Sequence, residues 1–592
     1  MALAPILDRS ASRLRGFVRR NEVALIGMAI GIGAVAAVLV ALISGAVGLC
    51  HHLFFGVPWG KRLSGAMALN APLLALIPMA GGVILGLTGI LIKRWRPRRP
   101  IDAIEANALQ GGRMSLTDSI LVTLQTIVSC GFGASVGLEA GYTQIGSGLA
   151  STLGAAFKMR RGDMRTLVGC GAAGAIAAGF GSSLTGAFYA FELIIGTYTP
   201  FGLASVMAAA IAAVLVASWL GVDNSFVAHL APTYAITQLD LLAFFVLSIA
   251  CAIVGIGIMR GVTFVETLFK RSHAPGFLQP VIGGLAVGLL ALATPHVLAS
   301  GHGALAEIYR QTQTDVVALC LTVLLKSVAS AISIGSGFRG GLFFASLFLG
   351  GMVGKIFAGV LPILSAGFTP DPAVYVTVGM AALGVAVVGG PLTMSFLALE
   401  TTGDFRLTVV ILMAATIVSV VVRRTFGYSF ATWRLHLRGE SIRSAQDVGW
   451  MRNLTVARMM RPDVTLAPLN QKIAEFRDAF PLGALQWVVA IDAERRYAGL
   501  VAVTDAHLAK SDEEPIASLL RHKDDVLLPA MNIKQAAEIF ERTESEALVV
   551  LADIKSRRPI GILTEAHVLR RYTEELEKQR RDLSGEKWLG ET

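Results

Sequence analysis

The chain has 592 residues, a formal net charge of +10 at neutral pH, and 54% hydrophobic against 16% charged residues. That length exceeds one domain, and the long uncharged runs exclude a wholly soluble protein. Its five cysteines (Cys50, Cys130, Cys170, Cys251, Cys320) share no CxxC-type spacing and read as small core residues rather than a disulfide framework or metal site.

Residues 1–22 form a basic segment expected in the cytoplasm, with Arg9, Arg13, Arg15, Arg19 and Arg20 ahead of the first apolar run. Val23 to Cys50 carries no acidic or basic side chain; as a helix it would be about 42 Å long, enough for a tilted span. The run is too long for a signal-peptide core and has no small-residue cleavage site at its end, so it is expected to be retained. Apolar stretches recur as far as Val422. Short connections rich in Lys and Arg (Lys93, Arg94, Arg96, Arg98 and Arg99; Lys158, Arg160, Arg161 and Arg165) and the exit at Arg423, Arg424, Arg434 and Arg438 mark the cytoplasmic side, so both termini are expected inside. The positive charge is read as membrane topology, with the lipid bilayer as partner and no nucleic acid. The expectation is an all-α polytopic membrane domain over 23–438, a linker over 439–453, and a soluble α/β part beyond it.

Between Ile120 and Phe157 the only ionisable side chains are Glu139, Cys130 and Tyr142. Glu139 lies in Gly137-Leu138-Glu139-Ala140-Gly141, with Gly131 and Gly133 before it and Gln144-Ile145-Gly146 after. A carboxylate at membrane depth is costly and reads as functional by default. Glycines let the backbone break, which at that depth is tolerated only when buried in protein or lining a cavity. The plainer reading is a structural carboxylate between packed helices.

The same segment occurs twice. Gly131, Gly133, Gly137, Leu138 and Gly146 reappear in constant register as Gly335, Gly337, Gly341, Leu342 and Gly350. Leu184, Thr185, Phe188, Ala190 and Glu192 likewise return as Leu392, Thr393, Phe396, Ala398 and Glu400. Ala172, Gly174 and Gly179 match Ala382, Gly384 and Gly389 with a two-residue gap. The membrane part is therefore an internal duplication, and interrupted helices at matching places in two halves point to a transporter's binding site.

The soluble part is also a repeat. Thr504-Asp505-Ala506-His507 recurs as Thr564-Glu565-Ala566-His567, each after a strand-like run and before a helix-like start. This order resembles a tandem pair of CBS domains, set at 454–510 and 511–574 with a charged tail over 575–592. In that family an Asp three residues after the Thr or Ser contacts the ribose of an adenine nucleotide. His507 and His567 stand there instead, so adenine nucleotide is not expected as a ligand.

The glutamate segment, its glycine-rich partner, the two Leu-Thr…Glu segments and the tandem tail occur in this order in the CLC family of chloride channels and chloride/proton exchangers, which the chain resembles from Val23 onward. The resemblance implies an inverted-repeat membrane domain, a homodimer with one pore per subunit, and chloride or a similar small anion as substrate; no paired catalytic carboxylates, nucleophile-base motif or metal spacing stands out, so no cofactor or catalytic residue is expected. It assigns Glu139 as the gating glutamate. Backbone amides of Gly137, Leu138, Leu342 and Phe343 would hold the anion, since a half-helix N-terminus carries unsatisfied donors and partial positive charge.

The chain departs from the family pattern in several places. Arg99 takes the position of the serine that contacts the central anion; either the pore is less selective for want of that ligand, or Arg99 supplies a replacement charge. Leu138, Gly141 and Ala345 replace an Arg and two Pro residues. The inner-gate tyrosine aligns with Ala431, or with Tyr428 in a shifted register. The exchangers' inner proton-handling acid falls at Ser225, near Asp223. Passive, channel-like or loosely proton-coupled transport is therefore expected, with a coupled antiporter as the alternative. A CBS-regulated divalent cation transporter is the rival of a different class; such a site needs several oxygen ligands, whereas the deep acids are sparse (Glu139, Glu192, Glu400).

Overall fold

The computed structural model describes residues 22–65, 72–96, 98–222, 236–310, 315–364, 368–437 and 455–584. The basic segment before Glu22, the linker at 439–453, Ser225 and Asp223 lie outside the described residues. The chain divides into two compact units, Met1–Asp447 and Val448–Thr592.

The first unit is helical throughout. Its first half runs α1 (Glu22–Phe55), α2 (Ile77–Trp95), α3 (Ala103–Leu109), α4 (Leu116–Gly131), α5 (Glu139–Ala156), α6 (Arg161–Phe180), α7 (Ser183–Tyr189, continued by a wider π turn over Ala190–Ile195) and α8 (Pro200–Trp219). The second half runs α9 (Gln238–Arg271), α10 (Gln279–Ala293), α11 (His302–Arg310), α12 (Val316–Gly335), α13 (Phe343–Leu364), α14 (Pro372–Val388), α15 (Pro391–Thr402) and α16 (Phe405–Thr425), followed by α17 (Phe430–His436). Among the described residues, seven helices are long and apolar enough to cross a membrane. Asp and Ser residues start many helices by capping: Ser115 accepts from Asp118 N–H, Asp315 from Ala318 N–H, and Asp404 from Arg406 and Leu407 N–H.

The halves meet through reciprocal contacts, as a two-fold relation demands. Gly137 N–H donates to the Gly341 carbonyl (2.8 Å) and Gly341 N–H to that of Gly137 (3.0 Å). Glu192 accepts from Leu392 N–H (2.9 Å), Thr393 N–H (2.8 Å) and Thr393 Oγ1 (2.6 Å). Glu400 accepts from Leu184 N–H (2.9 Å), Thr185 N–H (2.9 Å) and Thr185 Oγ1 (2.8 Å). Each acid of the Leu-Thr-x-x-Phe-x-Ala-x-Glu motif thus caps the other half's copy of that motif. Phe188 stacks on Phe396 between them, ring centroids 4.2 Å apart.

Small residues let the helices close up. Helix α5 crosses α6 at Gly146 and Gly171, and α13 crosses α14 at Gly350 and Gly379; in each pair a Cβ would strike the other's carbonyl. This corrects the gapped alignment. Gly181 (φ 66°) ends α6 and Gly389 (φ 87°) ends α14, so Gly181 rather than Gly179 is the partner of Gly389. The register set by Leu184 and Leu392 then continues without a gap.

The second unit holds two copies of one arrangement. Strands β1 (Leu466–Pro468), β2 (Trp487–Ile491) and β3 (Tyr497–Ala502) form one sheet; β4 (Val526–Leu527), β5 (Ala547–Leu551) and β6 (Pro559–Thr564) form the other. In each, the first pair is parallel and the second antiparallel, with an irregularity at Ala490/Ile491 and at Val550/Leu551. The copies exchange flanking segments. Val456 and Met459 pack in the core of Leu527, Phe540, Leu548 and Val550, whereas Ile516 packs with Ile473, Phe476 and Val488. The 510/511 boundary therefore separates two chain segments but not two cores.

Candidate functional site: a carboxylate on a broken-helix N-terminus

Helix α4 ends at Gly131, the chain turns through Gly133 (φ 83°), and α5 begins at Glu139. The turn between α12 and α13 repeats this, with Gly337 at φ 106°. The Gly137–Gly341 pairing clamps the two breaks together and brings the start of α5 against the start of α13. Helix N-termini carry N–H groups without intrahelical acceptors and a partial positive charge. One carboxylate lies between them. Glu139 is 4% exposed, and its Oε1 accepts from Phe344 N–H at 2.9 Å. Its Oε2 is buried without a hydrogen-bond partner.

A cavity of about 210 Å³ opens beside this carboxylate. Its wall takes Val122 and Thr126 from α4, Ala140, Thr143 and Gln144 from α5, Tyr189 from α7, Arg339 to Phe343 before and at the start of α13, and Ala431, Arg434 and Leu435 from α17. Pro100, Asp102, Ala103 and Ile104 close another side. Aromatic rings crowd Phe343 and Phe344: Phe180 lies 4.7 Å and 5.9 Å from them, and His302 stacks on Phe344. The arrangement sets the Glu139 carboxylate against a backbone donor at paired helix N-termini, with Asp102 as a second acid on the cavity wall.

The expected site residues divide here. Leu342 and Phe343 line the cavity, and so does Ala431. Tyr428 does not; its hydroxyl pairs with His436 Nδ1 at 3.0 Å and it faces a separate pocket beside Ser429 and Arg423. Gly137 departs from expectation, because its N–H is spent on the Gly341 carbonyl and is not offered to a ligand. Leu138 is half-buried, packs against both large cores of the unit and is not part of the cavity wall.

Arg99 is a correction. It is exposed and off the cavity wall. Pro100 intervenes, and Asp102 instead stands at the α3 N-terminus, where its side chain accepts from Glu105 N–H at 2.8 Å. The cations on the wall are Arg339 and Arg434. Arg339 had a legible signal, being the only charged residue between Lys326 and Lys355 and lying inside the glycine segment. Tyr189 and Asp102 had none, because the fold alone brings their helices to the cavity.

Residues 81–424 match the family model described as voltage gated chloride channel. The chain belongs to that family. Relatives bear this out. The chain is 29% identical over 371 residues to the "Putative chloride channel protein ClcB-like" of Ralstonia nicotianae, covering 60% of this chain and 81% of that one. It is 28% identical over 411 residues to chloride channel protein CLC-f of Arabidopsis thaliana, covering 65% and 51%. It is 26% identical over 408 residues to the voltage-gated ClC-type chloride channel ClcB of Escherichia coli, covering 66% and 94%. Among solved structures, a slow cyanobacterial Cl−/H+ antiporter superposes with a TM-score of 0.61 at 23% identity, over 70% of this chain and 97% of its own. A eukaryotic CLC transporter superposes at 0.56 and 17% identity, over 94% of this chain and 98% of its own. The membrane unit thus has the CLC fold, and the protein is a multi-pass integral membrane protein.

Proposed function

We propose that this CLC-type protein passes chloride or a similar small anion, with Glu139 as the gate and the Leu342 and Phe343 amides as anion ligands. The observation that carries this reading is the Glu139 carboxylate on the Phe344 N–H, one oxygen unpartnered, at paired helix N-termini. Ionised, the carboxylate fills the place an anion would take; protonated, it loses its claim on those donors. A fixed Lys there would hold an anion tightly, whereas helix-end donors bind weakly enough to release it.

Transport is channel-like or only loosely coupled to protons. Supporting this, a small Ala431 stands on the cavity wall where the resemblance puts a gating tyrosine, and Leu193 and Ile194 present apolar surface there. The alternative, a coupled antiporter, draws on the antiporter among the structural neighbours. The cation-transporter rival finds two carboxylates on the cavity wall, Asp102 and Glu139, where a divalent site needs several oxygen ligands. The matching strand orders of the two sheets support a tandem CBS pair in the soluble unit. His507 Nε2 donates to the Phe480 carbonyl at 3.0 Å and His567 Nδ1 accepts from Arg570 at 3.2 Å, roles that favour structure over ribose binding. The resemblance adds a homodimer, and the basic connections at the span ends favour cytoplasmic termini.

The test is anion efflux from liposomes holding the purified chain under a potassium-valinomycin gradient. Chloride efflux is expected; a folded protein silent to every small anion overturns the reading.

A further inference from the structure

Gly133 (φ 83°) and Gly337 (φ 106°) turn the chain at the two helix breaks, and a Cβ on Gly337 would meet nothing within 4 Å among the described residues. Hydrogen bonds fix these turns, and two serines make them. Ser129 and Ser333 lie in the last turns of α4 and α12, and both are fully buried. Each holds its own break through its carbonyl: Ser129 accepts from Ala134 N–H at 2.9 Å and Ser333 from Phe338 N–H at 3.1 Å. Each also holds the other repeat's break through its hydroxyl. Ser129 Oγ accepts from Arg339 N–H at 2.9 Å, and Ser333 Oγ accepts from Ser135 N–H at 3.0 Å. All four bonds keep the register that maps Gly137 onto Gly341.

We propose that Ser129 and Ser333 are positioning residues that set which anions the pore prefers, by fixing the start of α5 against the start of α13. This assignment deepens the anion reading and rests on it. The two helix N-termini belong to different repeats, so a ligand held between them senses how far apart the breaks stand. Neither serine touches the anion; each acts through the backbone of the opposite break. The Gly137–Gly341 pairing joins the breaks at one place, and a single pair of backbone bonds still leaves them free to turn about it. The serine bonds, related by the two-fold, fall on opposite sides of that pairing and remove the freedom. Loss of a hydroxyl would strand a backbone N–H at membrane depth, where an unpaired donor is costly, so the break must shift to find another acceptor. A wider gap favours a larger, more weakly hydrated anion over chloride. Serine suits the task because its small side chain can accept across a helix contact that a bulkier group would force apart.

The experiment compares chloride with thiocyanate, by calorimetric titration of the purified full-length chain in halide-free buffer and by efflux from liposomes. Ser129→Ala and Ser333→Ala are each expected to lower the chloride-to-thiocyanate ratio, in affinity and in rate, roughly fivefold. Ser129→Thr and Ser333→Thr keep the hydroxyl and should restore most of it. Ser248→Ala removes a buried hydroxyl that donates to the Phe244 carbonyl of its own helix, and should keep the parental ratio. Ser129→Cys and Ser333→Cys hold the side-chain volume close while weakening the acceptor, and they carry the test if an Ala variant does not fold. Parental ratios in the folded Ala variants, or in both Cys variants, overturn the inference. Serine-dependent discrimination in binding without efflux would uphold it and sink the transport reading; efflux with discrimination indifferent to both serines would do the reverse. A parent that neither binds nor passes either anion overturns both.

Discussion

Glu139 and Phe344 belong to different repeats, yet the Glu139 carboxylate accepts the Phe344 N–H at 2.9 Å. The bond is charge-assisted, and such bonds contribute about 1.5–3 kcal/mol. Removing the charge in Glu139→Gln should therefore shift the gate toward open by roughly tenfold or more. Flux of the parent should rise as external pH falls, because protonation removes the competing anion. In the variant it should be high and nearly flat with pH. A stopped-flow or electrode record of chloride efflux across an external pH series checks both points.

A methyl group can do the same work from the backbone. A Cβ on Gly137 would overlap Glu139 Oε2 and Oε1, whereas one on Gly341 would come within 2.9 Å of Oε2. Gly137→Ala is expected to push the carboxylate off its donor, raising basal flux and flattening its pH response as Glu139→Gln does. Gly341→Ala should act in the same direction more weakly. Gly27→Ala, which meets nothing, should match the parent in the same efflux assay.

The crossed caps predict stability and not gating. Glu192 and Glu400 each close the first turn of the other half's helix with several hydrogen bonds. Glu400→Gln and Glu192→Gln should each lower thermal stability by about 1–3 kcal/mol, with the pH response of flux retained. Melting curves of the detergent-solubilised protein, read beside the efflux assay, separate this outcome from a role in the proton path.

Loose coupling has its own signature. Under opposed chloride and pH gradients, the reversal potential should follow chloride and respond little to pH. Among the described residues, the cavity wall offers a proton only Asp102 and Glu139 as carboxylates. Current measured across planar bilayers decides the matter; a fixed chloride-to-proton ratio would make the protein an exchanger and turn attention to Asp102.

For the second unit, full-length protein titrated with ATP, ADP or AMP should show no binding tighter than about 100 µM, an affinity of about 5.5 kcal/mol. The unit should also resist division. Val456 and Met459 lie in the core around Phe540, and Ile516 in that around Phe476. A fragment ending at Lys510 should be insoluble or molten by near-ultraviolet circular dichroism, while a fragment spanning 455–584 should melt cooperatively.

Much of this molecule is written in its sequence because membranes penalise polar groups one at a time. An acid alone in an apolar run, or Leu-Thr-x-x-Phe-x-Ala-x-Glu occurring twice, stands out without any structure. Glu139, the duplication and the paired glycine breaks were therefore legible, and Arg339 was open to the same argument. What the acids of the repeated motif do was not legible. Glu192 and Glu400 look like matching residues at helix ends, and only packing shows that each caps the other's half. The glycine register needed the helix ends themselves, since Gly179 and Gly181 are equivalent in composition but only Gly181 adopts the left-handed turn. Arg99 illustrates the remaining limit. Alignment set it at the anion, but it is exposed and off the cavity wall, while Arg434 lines that wall from a helix far along the sequence. Sequence alone determined which groups are too costly to bury without a purpose. Which of them share one cavity was decided by tertiary structure, because that depends on close helix crossings between segments that no local pattern connects.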